Sequence, residues 1–207
     1  MSHYAFAALI PDAAWCEHLL ACKAAVRAVT GPQRYLDDPP HLTVFLAAFA
    51  DPEAWCGAVT DCAAALQAPT VQIDGWHVFR DDPLTGGHTP VCAVGAAGQE
   101  ALRAVQAKIV AALAPRRDAA ASRERYAATW DRLSSLRQAS VVAHGFPFTG
   151  QDWHPHVSVG SIAPAAWEAA WSILSARERC GPMRFQAMHW YQLDGAIPRL
   201  LHRMPLM

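Results

Sequence analysis

Pro39-Pro40-His41-Leu42-Thr43-Val44-Phe45-Leu46 and Trp153-His154-Pro155-His156-Val157-Ser158-Val159 are variants of one short pattern: histidine, apolar, hydroxyl, apolar. In an extended strand successive side chains point to opposite faces, so His41 and Thr43 share one face while Leu42 and Val44 take the other. His156 and Ser158 do the same. Alternation of this kind needs one face against an apolar core and one opening onto something wet. On the open face an imidazole and a hydroxyl lie about 7 Å apart, at roughly 3.3 Å per residue. Such a pair suits a phosphate, with the imidazole moving protons and the hydroxyl donating a hydrogen bond to a phosphoryl oxygen. One His-x-Thr on a strand is commonplace. The weight rests on two copies falling in equivalent places.

Outward from the first copy, residues 4–10 read as a buried strand. Pro11-Asp12 opens a helix to about residue 29 on the stripe Trp15, Leu19, Cys22 and Val26. Gly31-Pro32 ends it, and Arg34 lies in the loop leading to the motif strand, 41–49. Asp51-Pro52 starts a second helix through Trp55, Val59, Cys62 and Leu66, followed by strands over 70–79 and 91–94. Asp81-Asp82-Pro83-Leu84-Thr85-Gly86-Gly87 joins those strands as a turn-rich loop. A helix over 99–113 then carries Leu102, Val105, Ile109 and Leu113 on one stripe. After the second motif Pro164-Ala165-Ala166-Trp167 opens a helix as Pro52-Glu53-Ala54-Trp55 does. A strand over 183–193, a turn at Asp194-Gly195 and a strand near 199–203 complete the chain. The order strand, helix, motif strand, helix, strand thus occurs twice, offset by roughly 87 residues, with a motif in the same slot each time. The expectation is a single two-lobed domain over 1–207, with an internal repeat at about 4–80 and 91–193 and an insertion at about 115–151.

Composition bounds what this domain does. With 207 residues, 53% of them hydrophobic and 17% charged, the chain can bury a sizeable core. A net charge of −1 and a pI near 6.8 argue against a broad basic surface for long nucleic acid, and leave room for a small or local anionic substrate. The apolar run at 4–10 is too short for a signal peptide, and no run approaches membrane-spanning length. Cysteines at 16, 22, 56, 62, 92 and 180 form no C-x-x-C pair and read as reduced, mostly buried thiols. A cytoplasmic protein without membrane contact is expected.

Two such halves would place their motif strands side by side, with His41 and Thr43 on one wall of a cleft and His156 and Ser158 on the other. One histidine, neutral, takes a proton from a nucleophile, and the other, protonated, gives one to the leaving oxygen. The hydroxyls and a nearby arginine hold the nonbridging oxygens as charge builds. This chemistry needs no metal ion and no cofactor. Other readings compete. His154 and His156, with His144 or Asp152, could form a metal site. Ser158 as a nucleophile would need a base and an acid behind it, and no G-x-S-x-G turn is present. Trp153, Trp76 and Trp190 could stack a base, or belong to the core. In the insertion, Tyr126, Trp130, Leu133 and Leu136 fall near helical spacing over 123–137, with Arg123, Arg125, Arg132 and Arg137 around them. That stretch reads as a surface helix packed on the body, against a lid bringing an arginine to the substrate.

Paired His-x-Thr/Ser motifs in duplicated halves resemble the 2H phosphoesterase superfamily, including bacterial 2′-5′ RNA ligase-like proteins and cyclic nucleotide phosphodiesterases. The resemblance spans nearly the whole chain. Its specific part is His41-Leu42-Thr43-Val44 with Pro155-His156-Val157-Ser158-Val159, and the ending Met188-His189-Trp190-Tyr191-Gln192-Leu193 is similar to the terminal hairpin of that superfamily. It implies an α+β, two-lobed fold in which two mainly antiparallel sheets line a central cleft with helices outside. It also implies a metal-independent enzyme that opens 2′,3′-cyclic phosphates or joins and cleaves 2′-5′ linkages, with His41 and His156 catalytic and Thr43 and Ser158 on the phosphate. Arg34, Trp153, His154 and Trp190 are candidate substrate contacts. The expected partner is a small nucleotide or RNA end, with no obligate protein partner evident. Gly160-Ser161-Ile162 departs from the many relatives that carry a basic residue just after the second motif. Branches of the superfamily act on other cyclic phosphates and small phosphodiesters, so the substrate stays open. The alternative is a module that binds a nucleotide or RNA end in the same cleft without turning it over.

Overall fold

The computed structural model describes residues 2–82, 84–193, 195 and 197–207. Pro83 of the turn-rich loop and Asp194 of the final turn lie outside the described residues. Strand β1 (His3–Pro11) runs directly into helix α1 (Ala13–Thr30). Pro11 closes the strand rather than opening the helix, and Asp12, in extended conformation, caps α1 by accepting from the Trp15 N–H at 3.1 Å. Gly31, at φ 71°, ends it where a side chain would be strained. There follow β2 (Leu42–Phe49), α2 (Cys56–Ala64), β3 (Thr70–Phe79), β4 (Thr89–Val94) and α3 (Ala96–Leu113). The remaining elements are α4 (Ala119–Glu124), α5 (Ser135–His144), β5 (His156–Ser158), α6 (Trp167–Ser175), β6 (Gly181–Gln192) and β7 (Arg199–Pro205).

All strand pairs are antiparallel, in the order β2-β1-β6-β3-β4-β5 with β7 also on β6. The long strand β6 serves two sheets. Residues Ala187 to Gln192 lie between β1 and β7, while Gly181 to Arg184 pair with β3. An α+β architecture of antiparallel sheets is what the pattern called for, but the sheets do not follow the two halves of the chain. β3, closing the first half, joins β4 of the second, and β6, from the second half, lies beside β1. The motif strands β2 and β5 are therefore the two edges of the hydrogen-bonded path, not ladder neighbours, and they touch because the sheet folds over on itself. β1 at the centre of the first sheet is buried on both faces: Ala5, Ala7 and Leu9 go to the main core with Trp15, Leu42 and Phe45, and Phe6, Ala8 and Ile10 to a smaller cluster with Ala187 and Tyr191.

The edge of β2 needs partners, since an unpaired strand edge leaves backbone groups unsatisfied. A bulge between Ala7 and Ala8 of the β1 register leaves Val44 outside the ladder. Its carbonyl accepts from Gln106 Nε2 of α3 at 2.9 Å. The same amide group donates to the Phe148 carbonyl at 3.0 Å and accepts from the Gly150 N–H at 2.9 Å, so one buried glutamine ties β2 to the approach to β5. Further along, the Ala48 N–H donates to Ser122 Oγ at 2.9 Å and the Ala48 carbonyl accepts from the Asp118 N–H at 2.8 Å. The segment after α3 thus covers the β2 edge.

That segment is not the single helix its spacing suggested. Asp118 and Ser134 each accept from a backbone N–H three residues on, starting α4 and α5 separately, with a 3₁₀ stretch (Ala127–Arg132) between them. Tyr126 and Leu133 are buried together with Val141, but Leu136 is 73% exposed, so the apparent stripe is broken.

Replacing Gln106 by leucine strands two carbonyls and one N–H in the interior. Gln106→Leu should lower the free energy of unfolding by about 2–4 kcal/mol, read by denaturant titration; an unchanged midpoint would show that these groups find other partners.

Candidate active site

Each motif histidine follows a proline, Pro40 or Pro155, and each makes the same bond. His41 Nδ1 lies 2.7 Å from the Pro39 carbonyl and His156 Nδ1 lies 2.6 Å from the His154 carbonyl, in both cases the residue before that proline. A proline with fixed φ, preceded by a residue held extended, sets this carbonyl back over the ring. A carbonyl only accepts, so Nδ1 carries the proton and Nε2 is left for a ligand. Each ring also rests near a phenylalanine, His41 at 5.2 Å from Phe6 and His156 at 5.0 Å from Phe79 between ring centroids.

His41, Thr43, His156 and Ser158 line one cavity of about 1030 Å³, and Arg34, Trp153 and His154 line it with them. Trp190 does not. It is fully buried, its indole N–H donates to the Pro52 carbonyl at 2.9 Å, and its ring meets Phe49 edge-on, so it is a core residue and not a substrate contact. Trp76 likewise donates its indole N–H to the Leu174 carbonyl at 2.9 Å, against the core. Asp152 is held by Arg137 at 2.6 Å rather than joining His154 and His156, and no group of three or more His, Cys, Asp or Glu that could hold a metal ion occurs among the described residues.

Several cavity residues escaped the sequence reading. Lys23 is the clearest: it lies on the same helical face as Leu19, Cys22 and Val26, is 4% exposed, and donates from Nζ to the Tyr35 carbonyl at 2.6 Å. A lysine inside a buried stripe was the available signal. Its bond supports Tyr35, whose φ of 67° is unusual for an aromatic residue, in the loop that carries Arg34. That loop crosses to the second half, where the Ser161 N–H donates to the Arg34 carbonyl at 2.8 Å. Arg34 of the first half is thus tied by its backbone to the segment in which no basic residue was found, and its side chain lines the cavity. Arg80, Arg125 and Arg137 also line the cavity, so the segment between α3 and β5 contributes to its wall.

Electrostatics favour neutral imidazoles in this cavity. Burial, opposed by the Pro39 bond and reinforced by the charges of Lys23, His156 and His189, lowers His41 to about 4. His156 is lowered too, first by burial and then by the charges of His154 and His77, against the His154 carbonyl and Asp82, which raise it. Burial also lowers Lys23 to about 8, against the raising effect of Asp38 and Asp37.

The model of the 2′-5′ RNA ligase superfamily matches residues 11–196. The chain belongs to this superfamily. No curated protein matches it. Among solved structures, TT0787 of Thermus thermophilus is 14% identical, with 98% of this chain and 97% of that chain covered and a TM-score of 0.53. Escherichia coli LigT complexed with NADP+ is 11% identical over 100% of this chain and 99% of that one, with a TM-score of 0.51. LigT complexed with 3′-AMP gives 13%, 100%, 99% and 0.50. At these identities the likeness shows the fold, the one that the paired motifs implied for a 2H phosphoesterase. Membership of the 2′-5′ RNA ligase superfamily supports phosphoesterase or ligase-like activity on nucleotides or RNA. No helix among the described residues is long and apolar enough to cross a membrane.

Burial is the larger cause of the low His41 value, but because the Lys23 charge also opposes a charge on His41, Lys23→Met should move the His41 titration upward from about 4. Histidine NMR titration of the free protein reads this directly, and a midpoint unmoved by the substitution would place Lys23 outside the electrostatics of the site.

Proposed function

We propose that the protein is a metal-independent phosphoesterase that opens a cyclic phosphate, or cleaves a 2′-5′ phosphodiester, of a nucleotide or RNA end by two-histidine general acid–base catalysis. The observation that carries this is the matched pair of imidazoles, each with Nδ1 fixed on a carbonyl and Nε2 available in a shared cavity beside a hydroxyl. One neutral Nε2 takes the proton of an attacking water as its oxygen bonds to phosphorus. The other Nε2–H passes its proton to the ribose oxygen as the old P–O bond breaks, giving a phosphomonoester. Thr43 and Ser158 donate hydrogen bonds to the nonbridging oxygens, and Arg34 adds charge to the cradle as negative charge accumulates. Trp153 and His154 serve as contacts to the nucleoside. The nucleotides in the LigT complexes agree with this choice of ligand class. A module that only binds would have no use for two equivalently held proton-transfer groups.

His41→Ala and His156→Ala should each lower kcat by about a hundredfold or more, and the double variant should be little worse than the poorer single one, because acid and base act together. Thr43→Ala and Ser158→Ala should cost about tenfold to a hundredfold, each removing one donor among several. Steady-state assays on 2′,3′-cyclic nucleotides and 2′-5′ oligonucleotides, with and without chelator, decide the matter. Full turnover by the double histidine variant would refute the mechanism, and activity lost to chelator and restored by zinc or manganese would replace it with a metal-dependent one.

A further inference from the structure

The cavity is larger than one phosphate and its nucleoside require. At about 1030 Å³ it lies at the top of the range for small-ligand pockets, about 300–1,000 Å³. Three exposed arginines reach it from separate segments, Arg34 before β2, Arg80 after β3 and Arg125 after α4. Their guanidinium carbons lie over ring faces, 5.0 Å from the Tyr35 centroid, 5.5 Å from Trp167 and 4.6 Å from Tyr4 respectively. None of the three is in an ion pair among the described residues, whereas Arg137 is held by Asp152. Of the nearby carboxylates, Asp82 accepts from the Leu84 N–H and from Thr89 Oγ1, Asp37 pairs with Arg27, and Asp38 faces the charges of Lys23 and Arg34 rather than that of Arg125.

The position of Arg125 follows from β1. Tyr4 and Phe6 are alternate residues on the cavity face of that strand, about 7 Å apart at roughly 3.3 Å per residue. Phe6 packs on His41, and Tyr4 carries Arg125, which also meets the Tyr126 hydroxyl. His41 and Arg125 thus stand against successive cavity-facing residues of β1, so an anion at Arg125 lies along the strand from a phosphate at His41. Resting on the phosphoesterase reading, we propose that Arg125 forms a second anion subsite, and that the preferred substrate carries a further phosphate across one ribose from the reacting one. A free 5′-phosphate and the 5′-phosphodiester of a longer chain share this chemistry.

Three substrates separate the sources: a nucleoside 2′,3′-cyclic phosphate, the same compound with a 5′-phosphate, and a dinucleotide ending in a 2′,3′-cyclic phosphate. The wild type should show kcat/KM about tenfold or more higher for at least one of the last two than for the first. Arg125→Gln should abolish that preference and leave the first unchanged. Gain with the 5′-phosphate identifies a free phosphate as sufficient, and gain with the dinucleotide alone identifies the diester. Equal values for all three, or a variant that slows all three alike, overturn the subsite. Calorimetric titration with nucleoside 3′-monophosphate and 3′,5′-bisphosphate reads the same subsite without turnover. Tighter binding of the bisphosphate, lost in Arg125→Gln, supports it even if no cyclic phosphate is hydrolysed, an outcome that would fault the catalytic reading alone. Equal affinities overturn it.

Discussion

The hydrogen bond from each motif imidazole to the carbonyl two residues earlier is the constraint on which the site depends. A histidine on an edge strand would otherwise sample rotamers and both tautomers, and neither nitrogen would be committed to the cavity. Here the chain direction imposed by Pro40 and Pro155 supplies the acceptor from the backbone itself, at 2.7 and 2.6 Å. No carboxylate is needed behind the ring. That matters for proton transfer, because a neutral acceptor orients the imidazole without holding it in the charged form.

The rest of the fold serves to bring two such edge strands together. β6 joins the two sheets, α3 packs against β2 and β3, and Gln106 bonds to backbone on both sides of the cavity. Burial then pushes both imidazoles toward neutrality, and cationic side chains reinforce it at His41. An arriving phosphate reverses this balance, since its negative charge stabilises a proton on whichever imidazole it meets. The attraction for an anion thus comes from the lysine and arginines that line the cavity, and the histidines gain charge as the anion binds.

Much of this was legible in the chain. The two motifs fixed which side chains share a face, and the buried stripe of α1 and the strand at 70–79 were plain from period alone. What failed did so for physical reasons. The exchange of strands between halves is a tertiary pairing that no local pattern encodes, because β3 and β6 alternate equally well beside either neighbour. The helix read over 123–137 was overridden by the capping side chain of Ser134, a signal present but outweighed by apolar spacing. Trp190 was a candidate for stacking a base, yet alternation on β6 turns it to the core while Tyr191 faces Phe6. Lys23 was hidden because apolar periodicity does not register a charged residue that shares the buried stripe.

The central claim is that two histidines, one neutral and one protonated, exchange protons with the substrate. The dependence of kcat/KM on pH for the metal-free protein tests it most directly, since it reports the free site. His41 is lowered to about 4 and His156 lies below its usual 6.5, so the rate should rise with pH through about 4 and fall again as the second proton is lost, below 6.5. These midpoints belong to the coupled pair rather than to either ring. A flat profile from about pH 4 to 9, with chemistry limiting, would mean that neither imidazole gives or takes a proton in the slow step, and would contradict the account.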